Sequence, residues 1–243
     1  MLALRAGAAP LPIVLDDLAA LRHRYRCMER TPEPELMLDA DQVEAYASAD
    51  FEVPHQRFID LLCEHLPGLP PRGAALDIGC GPGDITLRFA RAFPSWTVHG
   101  LDGSPPMLER ARQAAASLAD RVEFHTCHLP NGDAPRQNYD LIFSNSLLHH
   151  LADPLVLWRS VQRWSHAQTR VFVMDLMRPG SVAEARHLVD QYSAGDPEVL
   201  RRDFFNSLLA SYRVDELQAQ LDESSLSRLR LKVVSDRHWL VAG

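Results

Sequence analysis

Four residues at alternate positions, Asp77, Gly79, Gly81 and Gly83, carry the strongest chemical signal in this chain. They lie in Ala75-Leu76-Asp77-Ile78-Gly79-Cys80-Gly81-Pro82-Gly83-Asp84, an apolar run ending in an acid, a glycine-rich turn, then a helical pattern. Glycines there let a ligand touch backbone, and the electropositive helix N-terminus behind them suits a carboxylate. The spacing excludes two phosphate binders. A dinucleotide fingerprint needs its third glycine at position 84, where this chain has Asp84. A phosphate-cradling P-loop needs a lysine after its glycines, and none occurs. A second acid, Asp102, ends Val98-His99-Gly100-Leu101-Asp102. A carboxylate is acceptor-only and takes two hydroxyls at once, so Asp102 suits a diol.

A third cluster sits in Tyr139-Asp140-Leu141-Ile142-Phe143-Ser144-Asn145-Ser146-Leu147-Leu148-His149-His150-Leu151. Ser144 and Asn145 fall at the carboxyl end of its strand-like run, where open α/β sheets bind ligands. His149 or His150 could act as a base for a hydroxyl or amine; equally, one could pack while the other caps the following loop. The two are adjacent, so a helix would turn their rings to different sides. No H-E-x-x-H or similar spacing appears, and no metal site is expected. Tyr192, in a later aromatic stretch, completes the catalytic candidates. Cys27, Cys63, Cys80 and Cys127 form no C-x-x-C pair, so reduced thiols are expected.

Together these blocks resemble the class I S-adenosylmethionine (SAM)-dependent methyltransferases. D-x-G-x-G-x-G resembles their first motif, and Asp102 resembles the acid ending their second strand. Residues 139–151 resemble the fourth strand and its loop, and Val171-Phe172-Val173-Met174-Asp175-Leu176 the fifth strand. The resemblance implies an α/β, Rossmann-like fold: a mostly parallel seven-stranded sheet, helices on both faces, and an antiparallel edge strand. It implies SAM as methyl donor and S-adenosylhomocysteine as product. It assigns Asp77 to the ligand's amino group and Asp102 to its ribose. Gly79, Cys80, Gly81 and Gly83 would meet the methionine part, Asn145 would lie near it, and Gly103 and Met107 would complete the site. One segment departs from the pattern. Val122-Glu123-Phe124-His125-Thr126-Cys127-His128-Leu129 puts His128 where many relatives place an acid. A neutral imidazole can still bond the adenine amino group, with Leu129 backbone beside the ring; a solvent-exposed His128 is the alternative. No Asn/Asp-Pro-Pro-Tyr/Phe stretch occurs, which counts against methylation of exocyclic base amines.

Alternating patterns predict the elements that position these residues. Strands are expected at 74–78, 96–101, 121–125, 139–144 and 169–175, and helices near 83–93, 105–117 and 153–165. Helices are also expected at 15–26, 39–48 and 53–65, and across 181–221 with a break at Gly195-Asp196-Pro197. Leu229–Val234 and His238–Ala242 read as an edge hairpin. Residues 1–35 are read as an N-terminal extension with a linker at Thr31-Pro32-Glu33-Pro34, and Met28 offers a second translation start. Residues 36–243 form one domain, with helical lids near 40–66 and 181–221.

Length allows one sizeable core. Lys and Arg number 25 against 32 Asp and Glu, a net charge of −7 that argues against a nucleic-acid partner. No apolar run reaches about 18 residues, and the N-terminus lacks a secretory pattern, so a cytoplasmic protein without membrane contact is expected. The acceptor is expected to be a small molecule met by inserts. These are Tyr46, Phe51 and His55 on one side, and Tyr192, Arg201, Arg202, Asp203, Phe204, Phe205, Asn206 and Tyr212 on the other. A homodimer is allowed. Methyl transfer from a sulfonium is an in-line displacement that needs alignment more than a catalytic group. The alternatives are an RNA- or protein-directed methyltransferase, a SAM-remodelling enzyme of the carboxy-SAM synthase type, and a non-catalytic SAM-binding module. Replacing Asp102 is expected to weaken cofactor binding with little effect on stability.

Overall fold

The computed structural model describes residues 28–34 and 40–243. The helix expected at 15–26, residue 39 and Cys27 fall outside them. In chain order the elements are α1 (Ala40–Ser48), α2 (Glu52–His65), β1 (Gly73–Ile78), α3 (Asp84–Ala92), β2 (Trp96–Asp102), α4 (Pro105–Ala114) and β3 (Val122–Thr126). Then come β4 (Tyr139–Asn145), α5 (Leu155–Arg163), β5 (Ser165–Leu176), α6 (Val182–Tyr192), α7 (Glu198–Ala210), α8 (Val214–Glu223), β6 (Arg230–Val233) and β7 (His238–Ala242).

The sheet runs β3-β2-β1-β4-β5-β7-β6. β1 to β5 are parallel; β7 runs antiparallel to β5, and β6 returns antiparallel to β7 at the edge. The chain winds outward from β1 to β3, then crosses to β4. That reversal opens a crevice at the carboxyl ends of β1 and β4, where open α/β sheets bind ligands.

Helices cover both faces, so the central strands are apolar nearly throughout. Ala75 faces the cluster built by α2, α3 and α4, while Leu76 and Ile78 face the one built by α5 and α8. That alternation is the two-residue period of a strand. On the first face Phe58 of α2 meets Phe172 edge-on at 5.0 Å. On the second, Trp158 of α5 is buried and its Nε1–H donates to Gln220 Oε1 of α8 at 3.0 Å. Truncating such a ring to Ala costs about 3–5 kcal/mol.

α6 and α7 build a smaller core with Leu176 through Ala185, Leu188, Val189 and Leu208. Residues 28–34 run along this cover. Thr31 N–H donates to Leu209 O at 3.0 Å, and Arg30 Nε to Ala210 O at 2.5 Å. The stretch expected as a linker is thus fastened to α7. α8, within the expected lid range 181–221, packs with α5 and β6 on the sheet face.

Candidate functional site

The chain must turn sharply between Ile78 and Asp84. Gly79, Gly81 and Gly83 do this at φ values of 75°, 52° and 85°. An L side chain there costs about 1–2 kcal/mol. Their surroundings differ. A Cβ on Gly79 would lie 2.8 Å from Leu147, and one on Gly83 2.8 Å from Phe124. One on Gly81 would meet nothing within 4 Å. Gly79 and Gly83 therefore permit close packing, whereas Gly81 faces open space. The turn is pinned to β2: Gly79 and Cys80 N–H donate to Leu101 O at 2.7 and 2.9 Å, and Gly81 N–H donates to Asp102 Oδ2 at 2.8 Å.

A cavity of about 170 Å³ opens beside this turn at the carboxyl ends of β1, β2 and β4. Of the residues expected from sequence, Asp77, Gly79, Cys80, Gly81, Asp102, Gly103, Met107, His128, Leu129, Asn145 and His150 line it together. Gly83, His149 and Tyr192 do not. Gly83 packs against Phe124 and Ala111. Tyr192 is exposed; its hydroxyl donates to Asp236 at 2.7 Å and its ring lies under Arg237 at 3.3 Å. It is turned toward the β6–β7 hairpin, away from the cavity it was expected to serve. Tyr46 and His55 from α1 and α2 do reach the wall. Arg201 instead pairs with Asp190, and Phe204 and Phe205 pack on the α6–α7 core.

Asp77 is 2% exposed and accepts the Thr86 hydroxyl at 2.5 Å. Burial, against the pull of that bond and with Asp102 nearby, pushes its carboxyl up to about 7. Asp102 is also raised by burial, although Ser104, Gly81 and Gly103 N–H groups oppose the shift. Its two oxygens hold Ser104 and Gly81 N–H at 2.8 Å each. This corrects the expectation that Asp102 matters little for stability, because its loss would leave those donors unsatisfied in a largely buried turn. Thr86 was missed from the sequence, as was Asp84, the first residue of α3. Burial raises the Asp84 carboxyl, but His55 at 2.6 Å and Arg88 at 2.8 Å outweigh it and hold it low. An acid in a helix's first turn was the available signal. Tyr46 is pushed up to about 12 by burial and the surrounding carboxylates, so its hydroxyl keeps its proton. The Cys80 thiol is raised by burial and stays protonated. Ser146, just after β4, holds φ 55° with its N–H on Met174 O, a strained conformation at the cavity wall.

The two histidines do not diverge as expected. A short 3₁₀ turn, Leu148–His150, stacks their rings with centroids 4.2 Å apart. His149 is 3% exposed, and its Nδ1 lies 2.5 Å from Asp175 Oδ1. Burial opposes its charge, but Asp175 and then Glu33 outweigh burial and raise its pKa. His150 is pushed down to about 3 by burial and by His149. Asp175 and Glu33 thus favour the charged form of His149 behind the wall, while His150 on the wall is neutral near pH 7 and is too weak a base to take a proton there.

A family model described as a methyltransferase domain matches residues 75–167. A trans-aconitate 2-methyltransferase of Methylobacterium radiotolerans is 33% identical over 154 residues, 58% of this chain and 54% of that protein. The 27-O-demethylrifamycin SV methyltransferase of Amycolatopsis mediterranei is 31% identical over 185 residues, 74% of this chain and 62% of that protein. The chain spans 30%, 54% and 34% of the first three curated relatives it matches. Among solved structures, the plantazolicin methyltransferase BpumL superposes with a TM-score of 0.62 at 15% identity, covering 83% of this chain and 89% of that one, which shows the fold.

Proposed function

We propose that this chain carries a class I SAM-dependent methyltransferase domain and transfers the methyl group of SAM to a neutral or cationic small-molecule acceptor. The observation that carries the reading is the cavity in which Asp77, Gly81 and Asp102 meet. Its features fit the methyl donor. The buried Asp77 carboxylate faces a neutral hydroxyl and would gain a cationic partner in the ligand's ammonium group. The Asp102 carboxylate accepts the Gly81, Gly103 and Ser104 N–H groups and keeps acceptor capacity for a ribose hydroxyl. The open side of Gly81 leaves room for the methionine part, Met107 and Leu129 offer apolar contact to adenine, and His128 offers a ring nitrogen.

When bound, SAM supplies a methyl already activated by positive sulfur. The chain's residues then hold the donor, align the acceptor and exclude water. Asp77, Asp84 and Asp102 line the cavity, while no Lys or Arg does among the described residues. That lining opposes a polyanionic acceptor and tolerates an amine or a neutral hydroxyl. Weak basicity at His150 favours an acceptor that presents a free lone pair, with its proton leaving to water.

Among the described residues no helix is long and apolar enough to cross a membrane. A cytoplasmic location belongs to the same proposal, as does a small molecule in place of nucleic acid, which the acidic net charge supports. The test is calorimetry with S-adenosylhomocysteine, NAD and ATP, followed by transfer of labelled methyl to a panel of amines, alcohols and tricarboxylates. S-adenosylhomocysteine should bind in preference to the nucleotides, and amines or alcohols should be methylated first. Tighter binding of NAD would sink the cofactor reading; preferential methylation of a tricarboxylate would sink the acceptor class.

A further inference from the structure

We propose that Glu33, His149 and His150 form a binding site for one divalent transition-metal ion, with Asp175 holding the His149 ring behind it. The proposal rests on side-chain geometry and stands apart from the methyl-transfer reading.

His149 Nε2 and His150 Nδ1 each lie 3.3 Å from the same atom, Glu33 Oε1, and the three donor atoms all fall within 4.8 Å of one another. An ion bonded to such ligands at about 2.0–2.1 Å in tetrahedral geometry holds them roughly 3.3 Å apart. Two imidazoles and a carboxylate are a donor set for zinc and its neighbours, and they leave a fourth position for water or substrate.

A second observation comes from behind the site. His149 Nδ1 lies 2.5 Å from Asp175 Oδ1, and the His149 N–H donates to Asp175 Oδ2 at 3.1 Å. A carboxylate on one ring nitrogen fixes the imidazole and leaves the other nitrogen to a metal. Here that other nitrogen is the one facing Glu33. The Glu33 side chain is only 12% exposed and accepts the Ser207 hydroxyl at 3.0 Å, so its carboxylate is also held in place. His150 lines the main cavity as well, which puts a bound ion at the cavity wall.

The competing account is a metal-free ion pair that ties residues 28–34 to the turn after β4. Both accounts make Glu33→Gln destabilising; only the proposal makes the protein bind metal. The test uses the full chain, stripped with chelator and titrated with Zn²⁺ by calorimetry without SAM, and with Co²⁺ followed by its visible absorption. One equivalent should bind with affinity on the order of micromolar or tighter, raising the unfolding temperature. Glu33→Gln should abolish stoichiometric binding, and Asp175→Asn should weaken it by about tenfold or more. Circular dichroism checks that both variants are folded. Absence of stoichiometric metal in the wild type, or full-strength binding in Glu33→Gln, would overturn the site. The cobalt spectrum decides the case even if Asp175→Asn does not fold, because imidazole coordination is read in the unaltered protein.

Discussion

A buried carboxyl beside a neutral hydroxyl is costly to ionise, and Asp77 is such a group. Its pKa is raised from an ordinary 3.8 to about 7 in the folded chain. The folded state therefore binds more protons than the unfolded one between those values. The stability this group contributes is fully present below pH 3.8 and is lost as pH rises through about 7. Thermal melts of the ligand-free protein should show that component, and Asp77→Asn should remove it. An ammonium-bearing ligand prefers the ionised form, so S-adenosylhomocysteine binding near pH 7 should release protons. Calorimetry in buffers of different ionisation enthalpy measures this directly, and binding with no proton release would mean that Asp77 is not the amino-group partner. Asp102 makes a different prediction because it serves structure and ligand at once. Asp102→Ala should weaken S-adenosylhomocysteine binding by about 1.5–3 kcal/mol and also lower the melting temperature, through the orphaned Gly81 and Ser104 N–H groups. Unchanged affinity in a folded variant would remove Asp102 from the ligand site.

At the scale of the element, the turn from β1 to α3 separates two uses of glycine. Gly81 and Gly83 share left-handed backbone, but only Gly83 is crowded, by Phe124 at 2.8 Å and Ala111 at 3.0 Å. Gly81→Ala should cost about 1–2 kcal/mol of stability from backbone strain alone. Gly83→Ala should lose about 1–3 kcal/mol more, since the rings and helix that meet there must shift. Denaturant unfolding compares the two. Ligand binding should suffer in folded Gly81→Ala, where the new methyl meets only open space beside the cavity. Equal stability losses would contradict the packing described for α3 against α4 and β3.

Over the whole molecule, one side chain joins three segments far apart in sequence. The Arg30 guanidinium donates to Ala210 O at 2.5 Å, His149 O at 2.7 Å and Leu151 O at 3.1 Å, and lies 4.3 Å over the Tyr212 ring. It fastens residues 28–34 to both the turn after β4 and the end of α7. Arg30→Ala should destabilise the protein by about 2–3 kcal/mol. Hydrogen exchange should accelerate at residues 148–151 and in α7, while β1 and β4 keep their protection. Uniform acceleration across the sheet would mean that Arg30 supports the core at large and not this junction.

The strand positions, the glycine turn and the acids at 77 and 102 were legible in the sequence because each is a local matter. A strand's two-residue period, a positive φ and an N-terminal helix turn are written within a few residues, and the chemistry they allow follows. The same holds for Asn145, which ends β4 at the cavity; His128 lines the cavity but stays exposed, so the two readings of it remain side by side. Tyr192 was not legible: an aromatic side chain on a helix has two sides, and packing of α6 decided which one faces the hairpin. Nor was the fate of the histidine pair, since a 3₁₀ turn and not an α-helix carries it, and the partner that raises the His149 pKa comes from β5. The His55–Asp84 pair spans 29 positions, and Arg30 reaches His149 across 119. Contacts at such separations have no spacing to read, because the sheet and its helices must first bring the residues together. The sequence by itself determined where the glycine turn and its flanking acids lie; only the tertiary structure decided which titratable groups surround that turn and which way burial and neighbours shift them.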